Sequence, residues 1–210
     1  MIKRVSIIDY GMSNLLSISR AFEHVGAEVQ IVDSPDSIRQ SDYLVLPGVG
    51  AFPDGMTELN TRHLSDSIRE FALSGRPLLG VCLGMQMLLG QGHEHTLTQG
   101  LNIIDGEVLP LPKDMPGFKV PNINWHSIYA PKNTNWDQTL LRNTHEETCF
   151  YFVHSYFAKP ASMDNVLALS RFGTLDFAAA VIKDNVVGTQ FHPEKSGEDG
   201  LNLLKQFISL

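Results

Sequence analysis

"PLLGVCLGMQMLL", residues 77–89, decides how this chain is read. Pro77–Val81 is a short, wholly apolar run, and from Leu83 onward the apolar residues fall at helical spacing. The junction reads Gly80-Val81-Cys82-Leu83-Gly84, the G-x-nucleophile-x-G spacing of a sharp strand-to-helix turn. A strand with no polar side is covered on both faces, which is the habit of parallel sheets. Cys82 then stands at the carboxyl end of a parallel strand, where ligands gather in open sheets. Glycines on either side relieve the crowding of such a turn. The helix N-terminus favours a thiolate and offers N–H groups to an oxyanion. The competing reading is a small buried thiol in a core turn.

Working outward, the first ninety residues alternate strands and helices. Val5–Ile8, 28–32 ("EVQIV"), 43–47 ("YLVLP") and 77–81 read as strands, apolar throughout or nearly so. Ser13–Val25 carries Leu15, Leu16, Ile18, Ala21, Phe22 and Val25 at helical spacing, and Gly26 fits a stop. A short helix follows Pro35. Met56–Leu59 and Leu64–Leu73 are helical, and a further helix is expected over Leu83–Leu89. Strands alternating with helices predict a doubly wound sheet.

Residues 109–121 ("LPLPKDMPGFKVP") are too rich in proline for one regular element. Strands are then expected at 149–158, 166–172, 177–183 and 186–191. "KDN" (183–185) serves as a hairpin turn, and a final helix runs from Asp199 to Ile208. The fold class expected is α/β: a doubly wound, mostly parallel central sheet with helices on both faces and an added antiparallel β portion in the C-terminal half. No linker or repeat interrupts it, so one domain spanning 1–210 is expected.

The 210 residues suffice for one sizeable core. The formal net charge of −7 argues against a general nucleic-acid binder and against docking to an anionic membrane surface. No apolar run approaches the roughly 18 residues of a membrane span. The apolar stretch after Lys3 and Arg4 meets Asp9 too early for a signal peptide, so a cytoplasmic setting is expected. In that setting the two cysteines are thiols rather than a disulfide, and no CxxC pair suggests zinc or dithiol chemistry. His93 and His95 lack a third convergent ligand, so no metal and no cofactor are expected.

A cysteine nucleophile needs a base and a group to orient it. "QFHPEKS" (190–196) offers both. In an extended segment, His192 and Glu194 face the same way, and Pro193 favours the extended conformation for His192. The carboxylate can hold the imidazole in one tautomer. The competing reading is a surface turn after a strand. "LPGVGAF" (46–52) follows the third strand, on the same edge as Cys82. Backbone N–H groups of Gly48, Val49 and Gly50 can serve an oxyanion together with that of Leu83, unless the stretch is an ordinary glycine turn.

"PGVGAF", "GVCLGMQ", "FYFVHSY" and "FHPEKS", in that order, resemble class I (triad) glutamine amidotransferases. More narrowly, "PGVG" in place of P-G-G makes the chain similar to the glutaminase subunits of imidazole glycerol phosphate synthases, over nearly its whole length. The resemblance implies that Cys82 attacks the side-chain amide of glutamine, that His192 moves the proton, and that a glutamyl thioester is hydrolysed by water. It implies a gated oxyanion turn that flips a peptide before it is competent. It places Gln86 and Glu94 at the substrate, and assigns the segment containing His154, Ser155 and Tyr156 to its α-carboxylate and amino groups. It also implies a partner, a (βα)8-barrel synthase subunit that receives the ammonia in a heterodimer. Asn14, Trp125, Tyr151 and Lys195 match positions near that interface.

The match breaks at "KVPNINWHS" (119–127), where the family shows K-V-P-H-M-G-W-N. Trp125 remains, but Asn122, Asn124 and His126 differ. Because the triad lies outside this segment, its divergence is expected to touch the partner and final product rather than amide hydrolysis. The alternatives are the same glutaminase feeding another acceptor, such as an amidino-sugar enzyme, a non-catalytic scaffold relative, and a stand-alone γ-glutamyl hydrolase. Retention of Cys82, His192 and Glu194 disfavours the scaffold; "PGVG" and "FHPEKS" disfavour the stand-alone hydrolase.

Overall fold

The computed structural model describes residues 2–132 and 134–210. In chain order its elements begin β1 (Arg4–Ile8), α1 (Leu15–His24), β2 (Glu28–Val32), α2 (Pro35–Arg39), β3 (Tyr43–Leu46), α3 (Phe52–Thr61), α4 (Leu64–Leu73), β4 (Leu78–Val81) and α5 (Leu83–Met87). Next come β5 (Leu89–Gly92), β6 (Thr98–Gln99), β7 (Ile104–Pro110), β8 (Asn122–Ser127), β9 (Cys149–His154) and β10 (Tyr156–Pro160). The chain closes with β11 (Val166–Phe172), β12 (Leu175–Lys183), β13 (Val186–Thr189) and α6 (Gly197–Phe207).

Among the described residues, one sheet has seven strands in the order β11-β12-β13-β4-β3-β1-β2. β13, β4, β3, β1 and β2 run parallel, and β12 and β11 close one side antiparallel. The alternation of side chains along a strand feeds two cores. Tyr43 and Val45 of β3, with Leu79 and Val81 of β4, join Phe22 of α1 and Leu204 of α6 on one face. Leu44 and Leu46 of β3, with Leu78 of β4, join Ile38, Met56 and Ile68 of α2, α3 and α4 on the other. That is why the central strands lack a polar side.

Two smaller sheets complete the fold: β10-β7-β5-β6 and the hairpin-like pair β8-β9. They correct three expectations. The helix after Cys82 stops at Met87, because the chain turns at once into β5. Residues 149–158 are two strands in different sheets, divided at Ser155, not one. β5, β6, β7 and β8 went unforeseen: β5 and β6 are too short and glycine- or polar-rich to show a period, and β8 exposes three successive residues.

The turn after β4 is as tight as its glycines suggest. A Cβ on Gly80 would lie 2.8 Å from Met85 N and 2.9 Å from the Gly84 carbonyl. A Cβ on Gly84 would strike the Leu46 carbonyl of β3, which is main chain and cannot swing aside. Gly84→Ala is therefore expected to cost about 3 kcal/mol of stability or to prevent folding. A urea midpoint unchanged from wild type would refute the close approach.

Candidate active site

β3, β4 and β13 are adjacent and parallel, so their carboxyl ends open on one edge. They deliver there, respectively, the Gly48–Gly50 turn, Cys82 and the His192 loop. Three separate stretches of sequence meet because of strand order alone.

Cys82 adopts φ 54°, ψ −108°, outside the regions open to an ordinary L-residue. Such a conformation costs of order 1–3 kcal/mol and persists only where the surroundings impose it. Here its N–H donates to Thr189 O of β13 at 2.7 Å and its carbonyl accepts from Gln86 N. The thiol donates to Val153 O at 3.8 Å and accepts from Gln190 Nε2 at 3.8 Å.

His192 and Glu194 meet as expected, but not by strand alternation. Pro193–Lys195 is a single 3₁₀ turn, and its tightness brings Nδ1 of His192 within 2.7 Å of Glu194 Oε1. His192 itself is extended, as Pro193 requires. Its N–H donates to Tyr151 O, while Ser196 Oγ donates to the His192 carbonyl at 2.6 Å and accepts from Tyr151 N. Tyr151 of β9 thus holds the loop at two points, and Ser196 ties it to itself at a third. Both side chains are only 4% exposed. Burial pulls the imidazole pKa down, but the adjoining Cys82 and Glu194 outweigh it and push it up to about 10. With Nδ1 on the carboxylate, Nε2 is free of any hydrogen-bond partner among the described residues, as is Glu194 Oε2.

An open pocket of about 250 Å³ lies over the thiol. It is lined by Val49, Gly50, Cys82, Leu83, Gln86, Glu94, His154, Ser155, Tyr156 and His192, all singled out from the sequence. Pro121 and Val153 line it too. Gln86 directs both amide hydrogens into protein, to Tyr156 O and Gln190 Oε1, each at 2.9 Å, which leaves its oxygen for a ligand. Glu94 accepts from Phe52 N at 2.7 Å through Oε2, so it caps α3 as well as facing the pocket. His154 is buried, and burial, with the nearby charges of His126 and His192, holds it down to about 4 against the opposing Tyr156 carbonyl. It stays neutral.

The oxyanion turn departs from the expected set. Val49 N–H donates to Met12 O at 2.9 Å and is not free for a substrate. Leu83, at the first position of α5, has no carbonyl within the helix to receive its N–H. Tyr10, which the sequence reading passed over, supports the turn from below: its hydroxyl donates to Pro47 O at 2.9 Å. Burial raises the Tyr10 pKa, as does the Cys82 charge, so it stays a donor.

The 119–127 segment is not separate from the glutamine pocket, which corrects the expectation that its divergence concerns only partner and product. Pro121 lines the pocket, and buried Asn122 pairs with His154, because β8 lies antiparallel on β9 with Asn122 opposite His154. Gln190 and Asn122 were both missed as site residues. Gln190 sits two residues before His192, and only the packing of β13 against α5 reveals its contact with Cys82.

Of the residues matched to an interface, Trp125 is half exposed and stands edge-on to Tyr151, with ring centroids 6.0 Å apart. Lys195 is exposed. Asn14 caps α1 by accepting from Ser17 N at 3.3 Å, which gives it a local role. His93 is engaged by Glu107 at 2.9 Å, and no group of three possible metal ligands occurs among the described residues.

The glutamine amidotransferase class-I family profile matches residues 6–210. The chain is 43% identical over 210 residues to the imidazole glycerol phosphate synthase subunit HisH 1 of Legionella pneumophila, covering 98% of this chain and 99% of that one. It is 45% identical to subunit HisH of Methanosarcina barkeri, with 99% of both chains covered. Among solved structures, PurLQS of Thermotoga maritima superposes with a TM-score of 0.76 at 20% identity, covering 100% of this chain and 99% of that one, a likeness of fold. Site, fold and full-length similarity agree: the chain belongs to the class-I glutamine amidotransferase family, in its HisH branch.

Proposed function

We propose that this chain is the glutaminase subunit of an imidazole glycerol phosphate synthase, serving histidine biosynthesis. One observation carries the chemistry: a strained, pocket-facing Cys82 beside a buried His192–Glu194 pair, with Gln86 and Glu94 across the same pocket. The full-length relatedness to HisH subunits favours this acceptor over an amidino-sugar enzyme.

Glutamine enters with its side-chain amide over Cys82. With the proton of the Cys82–His192 pair resting on His192 Nε2, the Cys82 sulfur bonds to the amide carbon as the C=O becomes an oxyanion, stabilised by Leu83 N–H. His192 returns the proton to the amide nitrogen, the C–N bond breaks, and ammonia leaves. Water, deprotonated by His192, attacks the thioester, the C–S bond breaks, and glutamate departs as the Cys82–His192 pair is restored with its proton on Nε2. Glu194 keeps Nδ1 protonated so that Nε2 faces the reaction. With Val49 N–H on Met12 O, the oxyanion site is incomplete, so the isolated chain should be slow. The partner in this reading is a (βα)8-barrel synthase subunit, docked as a heterodimer against Trp125, Tyr151, Lys195 and Asn14.

Glutamate release by the chain alone, and with the barrel subunit of the same genome with and without its nucleotide substrate, tests the reading. A large rise with partner and nucleotide is expected. Hydrolysis indifferent to that partner would assign the ammonia to another acceptor.

The raised pKa of His192 has a consequence for pH. A raised value keeps the proton on Nε2 to higher pH, so the leaving amine still meets an acid through the neutral range. The alkaline limb of the rate profile is expected near pH 10, not near the ordinary imidazole range. Glu194→Gln removes a group that raises it, so the limb should move down and the rate fall by about 10-fold. An unmoved limb would take Glu194 out of the orienting role.

A further inference from the structure

A row of hydrogen bonds runs from the half-buried side of the β8–β9 pair to the catalytic thiol, and its directions are fixed. The Tyr156 carbonyl can only accept, so His154 Nδ1 carries the hydrogen in their 2.8 Å bond. His154 Nε2 is therefore an acceptor and takes Asn122 Nδ2–H at 3.0 Å. Asn122 Oδ1 in turn accepts from His126 Nε2–H at 2.7 Å. Beyond Tyr156, the same carbonyl accepts from Gln86 at 2.9 Å, Gln86 donates to Gln190, and Gln190 reaches Cys82.

Each link depends on the one outside it. An asparagine amide is nearly symmetrical in shape, and without His126 nothing keeps Oδ1 outward. A flipped Asn122 would set its oxygen against the lone pair of His154 Nε2. The imidazole would then shift its hydrogen to Nε2 and leave the Tyr156 carbonyl facing a bare Nδ1. Asn122 is 3% exposed and His154 6%, so water cannot replace a lost donor. The neutral state in which His154 is held is the one this arrangement requires.

We propose that His126 and Asn122 are positioning residues for glutamine hydrolysis: His126 fixes the amide of Asn122, Asn122 fixes the tautomer of His154, and His154 holds the Tyr156 carbonyl on which Gln86 is anchored. The proposal rests on the glutaminase reading above. It gives the divergent segment a role inside this subunit, independent of the partner.

The competing role for His126 is packing, since its ring stands edge-on to Phe152 with centroids 5.7 Å apart. His126→Leu keeps the bulk and removes the donor; His126→Gln keeps a donor on a flexible chain. The readouts are the rate of Cys82 labelling by a diazoketone analogue of glutamine, on the full chain without partner, and kcat and KM for glutamine in the complex. His126→Leu is expected to slow labelling and raise KM by about 10-fold, with kcat less affected. His126→Gln should return to within about threefold of wild type. Asn122→Leu, a second variant of matching volume, should resemble His126→Leu, and the double variant should lose no more than either alone. Equal behaviour of His126→Leu and His126→Gln, additive losses in the double variant, or a KM unchanged throughout would each overturn the proposal. A wild-type chain that neither releases glutamate nor takes the label would overturn the glutaminase reading itself.

Discussion

Cys82→Ala is expected to lower glutamate release by on the order of 10⁴-fold or more in the complex, with the fold intact. The thiol supplies the only atom that bonds to substrate, and the other groups act through it, so its loss removes the mechanism rather than a fraction of it. Alanine keeps the Cβ that this site already tolerates, and the backbone bonds to Thr189 and Gln86 do not involve the side chain. The melting temperature should therefore move by only a few degrees. Cys82→Ser should be nearly as inactive, because a hydroxyl is a far poorer nucleophile at neutral pH. Glutamate assays on both variants beside thermal melts check this; wild-type turnover in both would sink the covalent mechanism.

His192→Asn carries two large effects that separate. Removing the imidazole takes away the proton carrier, for a loss of on the order of 10³-fold or more in turnover. It also leaves Glu194, its side chain 4% exposed and its Oε2 without a partner among the described residues, as a buried carboxylate without its cation. Breaking a buried pair from one side costs about 3 kcal/mol. The double variant His192→Asn with Glu194→Gln removes the stranded charge, so stability should recover while activity does not. Urea unfolding of the single and double variants, beside their glutamate release, decides it. A double variant no more stable than His192→Asn alone would mean the pair carries no buried charge.

Much of the site was legible before any coordinates. The apolar strand, the glycine-flanked Cys82 and the "FHPEKS" and "PGVG" stretches are local features, set by what a tight turn or a covered strand permits. They marked the nucleophile, its base and the turn beside them. The resemblance of those motifs added Gln86, Glu94 and the 154–156 segment, and the pocket gathers them all.

What escaped was non-local or lacked a period. β8 alternates poorly because much of it faces outward, so neither the strand nor its register on β9 showed in the residues. That register alone sets Asn122 against His154 and carries a divergent segment into the pocket. The geometry joining His192 to Glu194 came from a 3₁₀ turn where an extended segment was expected, and the hold on Val49 N–H came from Met12, a residue 37 positions away. By itself the sequence determined which side chains have the chemistry, because reactivity and turn preference belong to residue types and their neighbours. Only the tertiary structure decided where their hydrogen bonds go. Donors and acceptors pair across strands and loops far apart in the chain, and burial then makes those pairings binding by excluding the water that would otherwise replace them.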